Sequence, residues 1–245
     1  MPEMLDVLGI MDTPMHGETR SGLASYTLYV PKSHAQKPLS LAVAVQTDVD
    51  YKELPFFASK NSLAVVTLKF AITYCDGFQG SQRYDQALIE ALEAVNSKFQ
   101  NINTSAFLLC GAHDGAQFCL HFSYLHPELL LGVSMVNPEL PVAELDPSIP
   151  WPRGIENVKE LFGHQVNIDA LKKVPVHIVI SRNEVDDVYK RVKQLDGLEQ
   201  SLSNSGVVTR RSIVSTDREG RGVMGKGVVD ALFAFFYDTL RIHSR

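Results

Sequence analysis

The stretch Phe107-Leu-Leu-Cys-Gly-Ala-His-Asp-Gly-Ala-Gln-Phe118 constrains the fold more than any other part of the chain. An apolar run, a tight turn and the start of a helical stripe follow one another without a spacer. Gly111 and Gly115 stand four positions apart. Lacking side chains, they let the backbone of a strand and that of the following helix approach closely. The residue midway between them, His113, is then held in a strained turn with its side chain presented above the sheet.

Around this turn, short β-branched apolar runs alternate with helix-length segments, the pattern of strands joined by crossover helices into a largely parallel sheet. Asp6 to Met11 and Ala24 to Val30 are expected to form an antiparallel opening, closed by Pro31. Six further strands are expected at Leu41 to Gln46, Leu63 to Lys69, Ala106 to Cys110, Leu131 to Val136, Val174 to Ser181 and Val207 to Val214. Several are apolar on both faces, as strands buried between helices are. Tyr84 to Phe99, Gly115 to Leu125, Val185 to Leu202 and Val223 to Leu240 carry apolar stripes at helical spacing. These stripes are read as core packing, and none of them needs a cofactor.

The alternation breaks once, between Asn137 and Gln165, where Pro138, Pro141, Pro147, Pro150 and Pro152 surround Trp151, the only tryptophan. A proline-rich segment of this length between two strands reads as a lid or substrate-binding excursion at about residues 138–165, or else as a disordered loop. No repeat or linker interrupts the chain, so its 245 residues are expected to form one α/β domain. The sheet is expected to be eight-stranded, mostly parallel and flanked by helices.

Composition limits the partners. A net charge of −5 with no local Lys/Arg run leaves no basic surplus for a phosphate backbone or an anionic bilayer, so neither nucleic acid nor a membrane is expected. No apolar run approaches the about 20 residues that span a bilayer. The segment Met1-Pro2-Glu3-Met4-Leu5-Asp6 lacks the order of a signal peptide, and the expected location is cytoplasmic. Cys75, Cys110 and Cys119 are odd in number and have no metal-ligand spacing. They read as reduced thiols with neither a disulfide framework nor a metal site.

In these motifs the chain resembles the α/β-hydrolase-fold proteins of bacteria and fungi. One branch of that superfamily carries an elbow of the form G-[FH]-S-x-G-G-Q-F, a helix ending in L-H-P-E and a W-P-x-G segment. This chain has Gly111-Ala-His-Asp-Gly-Ala-Gln-Phe118, Leu125-His-Pro-Glu-Leu129 and Trp151-Pro-Arg-Gly154 in the same order. Gln82-Arg-Tyr-Asp85 is similar to the R-Y-D of that branch, and the likeness runs from about Tyr26 to Phe236. The resemblance implies the α/β-hydrolase fold, with the chain an atypical member because histidine stands where the nucleophilic serine would be.

The resemblance also places the remaining catalytic positions, and they depart from the pattern. Where the third strand of such hydrolases runs into His-Gly, this chain has Gln46-Thr47. The acid position falls near Glu184, beside Asp186 and Asp187. The base, a histidine after the last strand, is missing from Ser215-Thr-Asp-Arg-Glu-Gly-Arg-Gly222. Serine hydrolysis needs an imidazole-activated alkoxide and donors aimed at the oxyanion, so ordinary hydrolysis is disfavoured.

Three functions stay open. An imidazole at the turn exchanges protons near neutral pH. That suits a cofactor-independent lyase, cyclase or isomerase acting on a small carbonyl-bearing metabolite, plausible in natural-product biosynthesis. In it His113 is the general acid/base, Asp114 or Glu184 orients it, Gln46 and Thr47 bind the carbonyl, and Trp151 and Phe162 shape the cavity. The second is a catalytically inactive binding or scaffold protein, and the third a residual hydrolase. A small-molecule ligand and a homo-oligomer are the partners considered. His121, His126, Cys110 and Asp85 are read as packed or local structural groups, and Arg218, Glu219 and Arg221 as solvated turn charges.

Overall fold

The computed structural model describes residues 14–32, 37–46, 53–71, 82–138, 143–182, 188–215 and 225–243. Eight strands form one sheet: β1 (Met15–Glu18), β2 (Ala24–Tyr29), β3 (Leu39–Gln46), β4 (Leu63–Phe70), β5 (Ile102–Ala112), β6 (Leu130–Val136), β7 (Val176–Arg182) and β8 (Thr209–Ser215). Their order is β1-β2-β4-β3-β5-β6-β7-β8. Strand β2 runs antiparallel to β1 and β4, whereas β3 and β4, β6 and β7, and β7 and β8 pair in parallel. The α/β class and the mostly parallel eight-stranded sheet therefore stand. By contacts the chain forms two compact units, one within residues 1–109 and one within 110–245.

In the first unit, β3 and β4 are buried along nearly their whole length, from Leu41 through Val45 and from Leu63 through Leu68, as an apolar run on both faces dictates. Helix α1 (Glu53–Lys60) packs on β4 through Leu54 and Ala58. Helix α2 (Tyr84–Lys98) packs on β2 and buries Tyr84, Ala87, Leu88, Ala91, Leu92 and Val95, one face at helical spacing. At its start, both carboxylate oxygens of the buried Asp85 accept from the Arg83 guanidinium, at 2.9 and 2.8 Å, the two-pronged geometry that arginine offers a carboxylate. The R-Y-D segment is thus a local clamp. One strand was not among those expected: Met15–Glu18 pairs antiparallel with β2, while the expected strand Asp6 to Met11 lies outside the described residues. Strand β1 alternates half-buried and exposed residues, so it carries no apolar run to betray it.

In the second unit, helix α3 (Asp114–Leu125) packs on β6, and α7 (Lys226–His243) packs on β6, β7 and β8. Helix α6 (Val188–Asn204) packs on β8. Every residue of α3 from Gly115 to Leu125 is buried, so the single apolar stripe expected there is a helix enclosed on all sides. The proline-rich excursion after β6 holds one short helix, α4 (Val158–Phe162), and a second, α5 (Ile168–Leu171), follows it before β7. Among the described residues no helix is long and apolar enough to cross a membrane.

Candidate active site at the strand-to-helix elbow

The glycine pair does what its spacing requires. A Cβ on Gly111 would lie 2.3 Å from the carbonyl carbon and oxygen of Gly115 and 2.8 Å from the nitrogen of Ala116, so only glycine fits at 111. The chain reverses between them at His113, whose φ of 51° and ψ of −118° are rare for a residue with a side chain. Such a conformation costs about 1–3 kcal/mol and persists only where the surroundings impose it. Here they do: the His113 N–H donates to the Val136 carbonyl at 3.0 Å, and its own carbonyl accepts from the Gln117 N–H at 3.0 Å. His113 is half-buried at the head of α3, and Asp114 is the first residue of that helix. Its carboxylate lies in the first turn, where it complements the positive end of the helix dipole.

Helix α3 carries the excursion on its flank. The buried His121 ring approaches the Pro152 carbonyl with Nε2 at 2.9 Å; that contact requires the proton on Nε2, since the carbonyl only accepts. Burial holds this imidazole neutral, its pKa lowered to about 4. The Trp151 ring lies tilted against it with centroids 4.5 Å apart, and Phe162 meets Trp151 edge-on at 5.1 Å. One turn further along α3, the Tyr124 hydroxyl donates to the Ala143 carbonyl at 3.2 Å. The excursion closes on itself where Glu144 N–H donates to the Arg153 carbonyl and Ile155 N–H to that of Asp146. Leu145 N–H donates to Ser201 Oγ of α6 at 3.0 Å. A Cβ on Gly154 would come within 2.3 Å of the Ile149 carbonyl oxygen, so the last glycine of the W-P-R-G segment is a packing requirement.

The expected site residues are therefore distributed. His113 and Asp114 are neighbours at the elbow, and Trp151 and Phe162 touch each other. His121, on which Trp151 rests, stands eight residues beyond His113, about 12 Å along the helix axis. Gln46 ends β3, in register with Lys69. Thr47 and Glu184 lie outside the described residues. Cys110 is buried, and its thiol is pushed well above its usual range by desolvation, the state of an inert core cysteine. His243 reaches back to the Thr239 carbonyl at 2.9 Å in the last turn of α7. Among the described residues no group of three or more His, Cys, Asp or Glu side chains could hold a metal ion.

Another histidine, unremarked in the sequence, lies in the sheet. His177 of β7 is fully buried, with Nδ1 3.0 Å from Ser134 Oγ of β6 and Nε2 2.9 Å from Ser212 Oγ of β8. Its ring packs on Phe235 of α7 at 4.8 Å. Burial, and secondarily the Arg210 charge, lower its pKa to about 4. It sits in the apolar run of a strand, and only its two serine partners, 43 and 35 positions away, explain a polar ring there.

Against solved structures, the chain aligns over nearly its whole length with α/β-hydrolase-fold enzymes. It is similar to the fluorophosphonate-binding serine hydrolase F of Staphylococcus aureus, at 13% identity and a TM-score of 0.61 over 93% of this chain and 98% of that one. It is similar to the poly(3-hydroxybutyrate) depolymerase of Bordetella parapertussis, at 14% identity and a TM-score of 0.64 over 92% and 89%. An S-formylglutathione hydrolase of Agrobacterium tumefaciens gives 12% identity and a TM-score of 0.59 over 93% and 94%. No protein-family model and no curated protein matches the chain. The fold is that of the α/β hydrolases.

Proposed function

We propose that this chain is a cofactor-independent enzyme acting on a small carbonyl compound, with His113 as its general acid/base. The observation that carries the proposal is the backbone of His113, held at φ 51° and ψ −118° between a glycine pair that tolerates no replacement at 111. Strain of this kind gathers at functional sites, where it presents a side chain. An imidazole in that place gives or takes a proton beside a carbonyl, the step shared by enolisation, elimination and aldol-type cyclisation. Asp114 or Glu184 is the carboxylate that orients it in this reading.

A hydrolytic reading is favoured by the activities named for the solved neighbours, among them a depolymerase and an S-formylglutathione hydrolase. In that reading His113 itself activates water or takes the acyl group, because residues 216–224 contain no histidine to serve a serine.

One experiment separates the two. Wild type and H113A are incubated in D₂O with small ketones and β-keto esters, with deuterium incorporation followed by NMR, and in parallel with 4-nitrophenyl acetate and butyrate. Carbon exchange lost by about 100-fold or more in H113A supports the acid/base role. Ester cleavage with the same dependence, and no exchange, supports hydrolysis. Turnover unchanged in H113A ends both readings, and ligand binding without turnover assigns the chain to a binding protein.

A further inference from the structure

The end of β6 carries a second strained residue beside the elbow. Asn137 follows β6 directly, is buried and has φ 44°, a left-handed backbone that asparagine tolerates better than most residues. Its side chain is committed to β7: Oδ1 accepts from the Ser181 N–H at 2.9 Å, and Nδ2 donates to Ser181 Oγ. Its own N–H donates to the Val179 carbonyl at 2.9 Å. On the other side, the residue before it, Val136, accepts the His113 N–H at 3.0 Å. The dipeptide Val136-Asn137 therefore ties the elbow to the carboxyl-terminal end of β7 through four hydrogen bonds.

We infer that Asn137 is a positioning residue for the elbow histidine: its clamp on Ser181 fixes the strand end from which Val136 holds the His113 backbone. Two features of the cluster require this. The left-handed turn at Asn137 is what swings its amide across to β7, and Ser181 presents both its N–H and its hydroxyl to that one amide. An asparagine there for solubility or for turn formation alone would not be buried with both amide groups used. The inference rests on the reading of His113 as the acid/base, and it names the residue that holds that base in place.

The test uses variants that separate clamp from backbone. N137G keeps the positive φ at no steric cost and removes the clamp. S181A removes the hydroxyl partner alone. S134A removes a buried hydrogen bond elsewhere on β6, to His177, and serves as the structural control. Amide exchange at His113 and the imidazole Cε1–Hε1 resonance of His113 are read by NMR. In N137G, His113 amide exchange rises about tenfold or more, equivalent to about 1.4 kcal/mol of local opening, and the imidazole resonance moves. S181A gives a smaller change in the same direction, and S134A leaves both signals in place.

A displaced base lowers kcat, with about 1 Å costing about 100-fold. Deuterium exchange into the ketone probe therefore loses kcat in N137G at unchanged KM. The inference is overturned if His113 signals are unmoved in N137G, or if S134A moves them equally. The two failures stay distinct. Wild-type turnover that H113A abolishes and N137G preserves removes the clamp alone. Absence of wild-type turnover removes the acid/base reading, while the NMR comparison still decides the clamp.

Discussion

The His121 imidazole and the Pro152 carbonyl meet at 2.9 Å, and this contact ties the proline-rich excursion to the helix that follows the elbow. Replacing His121 by Phe keeps the ring against Trp151 but leaves the carbonyl without that donor, a change expected to cost about 1–3 kcal/mol. Urea denaturation should show that loss. Limited proteolysis should show faster cleavage between Ala143 and Phe162 in H121F than in wild type. Equal cleavage rates in the two proteins would mean that Tyr124, Ser201 and the internal hydrogen bonds hold the excursion without His121.

Stability should fall with acid in a window set by two buried histidines. His121 and His177 have folded-state pKa values of about 4, against 6.5 for an unperturbed imidazole. Between those values the unfolded chain binds more protons than the folded one. Their contribution is therefore fully present above about pH 6.5 and is lost as pH falls toward 4. Each histidine contributes at most about 3 kcal/mol over that interval. Urea midpoints measured from pH 7 to pH 4 should decline steeply in wild type, and H177Q should lose about half of that slope. An unchanged slope in H177Q would show that His177 is solvated before it is protonated.

Gly111 is the most stringent position in the elbow. Alanine there would place a methyl carbon 2.3 Å from the Gly115 backbone, where no flexible side chain can yield. The strand and helix must separate, and the expected loss is about 3 kcal/mol or more. Alanine at Gly22, where φ is +71° but the space around it is open, should cost only about 1 kcal/mol. Chemical denaturation of the pair checks the contrast, and comparable losses would refute the close approach at 111.

These positions also mark what was legible in the sequence. The glycine spacing at 111 and 115 reports a steric constraint that any glycine pair at a strand-to-helix turn would report, so the elbow is plain from residues alone. The buried strands are equally plain because an apolar run on both faces has one use in such a fold: Leu63 to Lys69 was expected, and β4 is Leu63–Phe70. Helix α1 escaped because eight residues bury only Leu54 and Ala58, too few for a period to emerge. His177 escaped for the opposite reason: its polarity is satisfied by serines distant in sequence, and pairing across strands leaves no local pattern. The roles of Trp151 and Gly154 likewise depend on contacts within a folded excursion, where proline content announces irregular backbone but not what it packs against.

Placing serine at the elbow should not create a serine hydrolase. In H113S the turn is compatible with the residue, but residues 216–224 supply no histidine to take the serine proton. H113S is expected to resist stoichiometric labelling by a fluorophosphonate and to cleave 4-nitrophenyl acetate no faster than H113A. Rapid labelling would reveal a base that the sequence does not place, and would shift the weight toward the hydrolytic reading.

The strain at His113 should be measurable as stability withheld from the fold. At φ 51° and ψ −118° a side chain is unfavourable, and glycine occupies such backbone without a Cβ penalty. Against that relief stands the greater entropy of glycine in the unfolded chain, up to about 1 kcal/mol, so the net gain in H113G is expected to be about 1 kcal/mol. H113A keeps the penalty and should gain nothing. Thermal and urea denaturation of the two variants at pH 7 check this directly. A more stable H113G with no turnover is the signature of a residue kept for its side chain at the expense of the fold. An H113G no more stable than H113A would mean that the surrounding hydrogen bonds, and not a side chain under strain, define the turn, and backbone strain would then give no support to a catalytic His113.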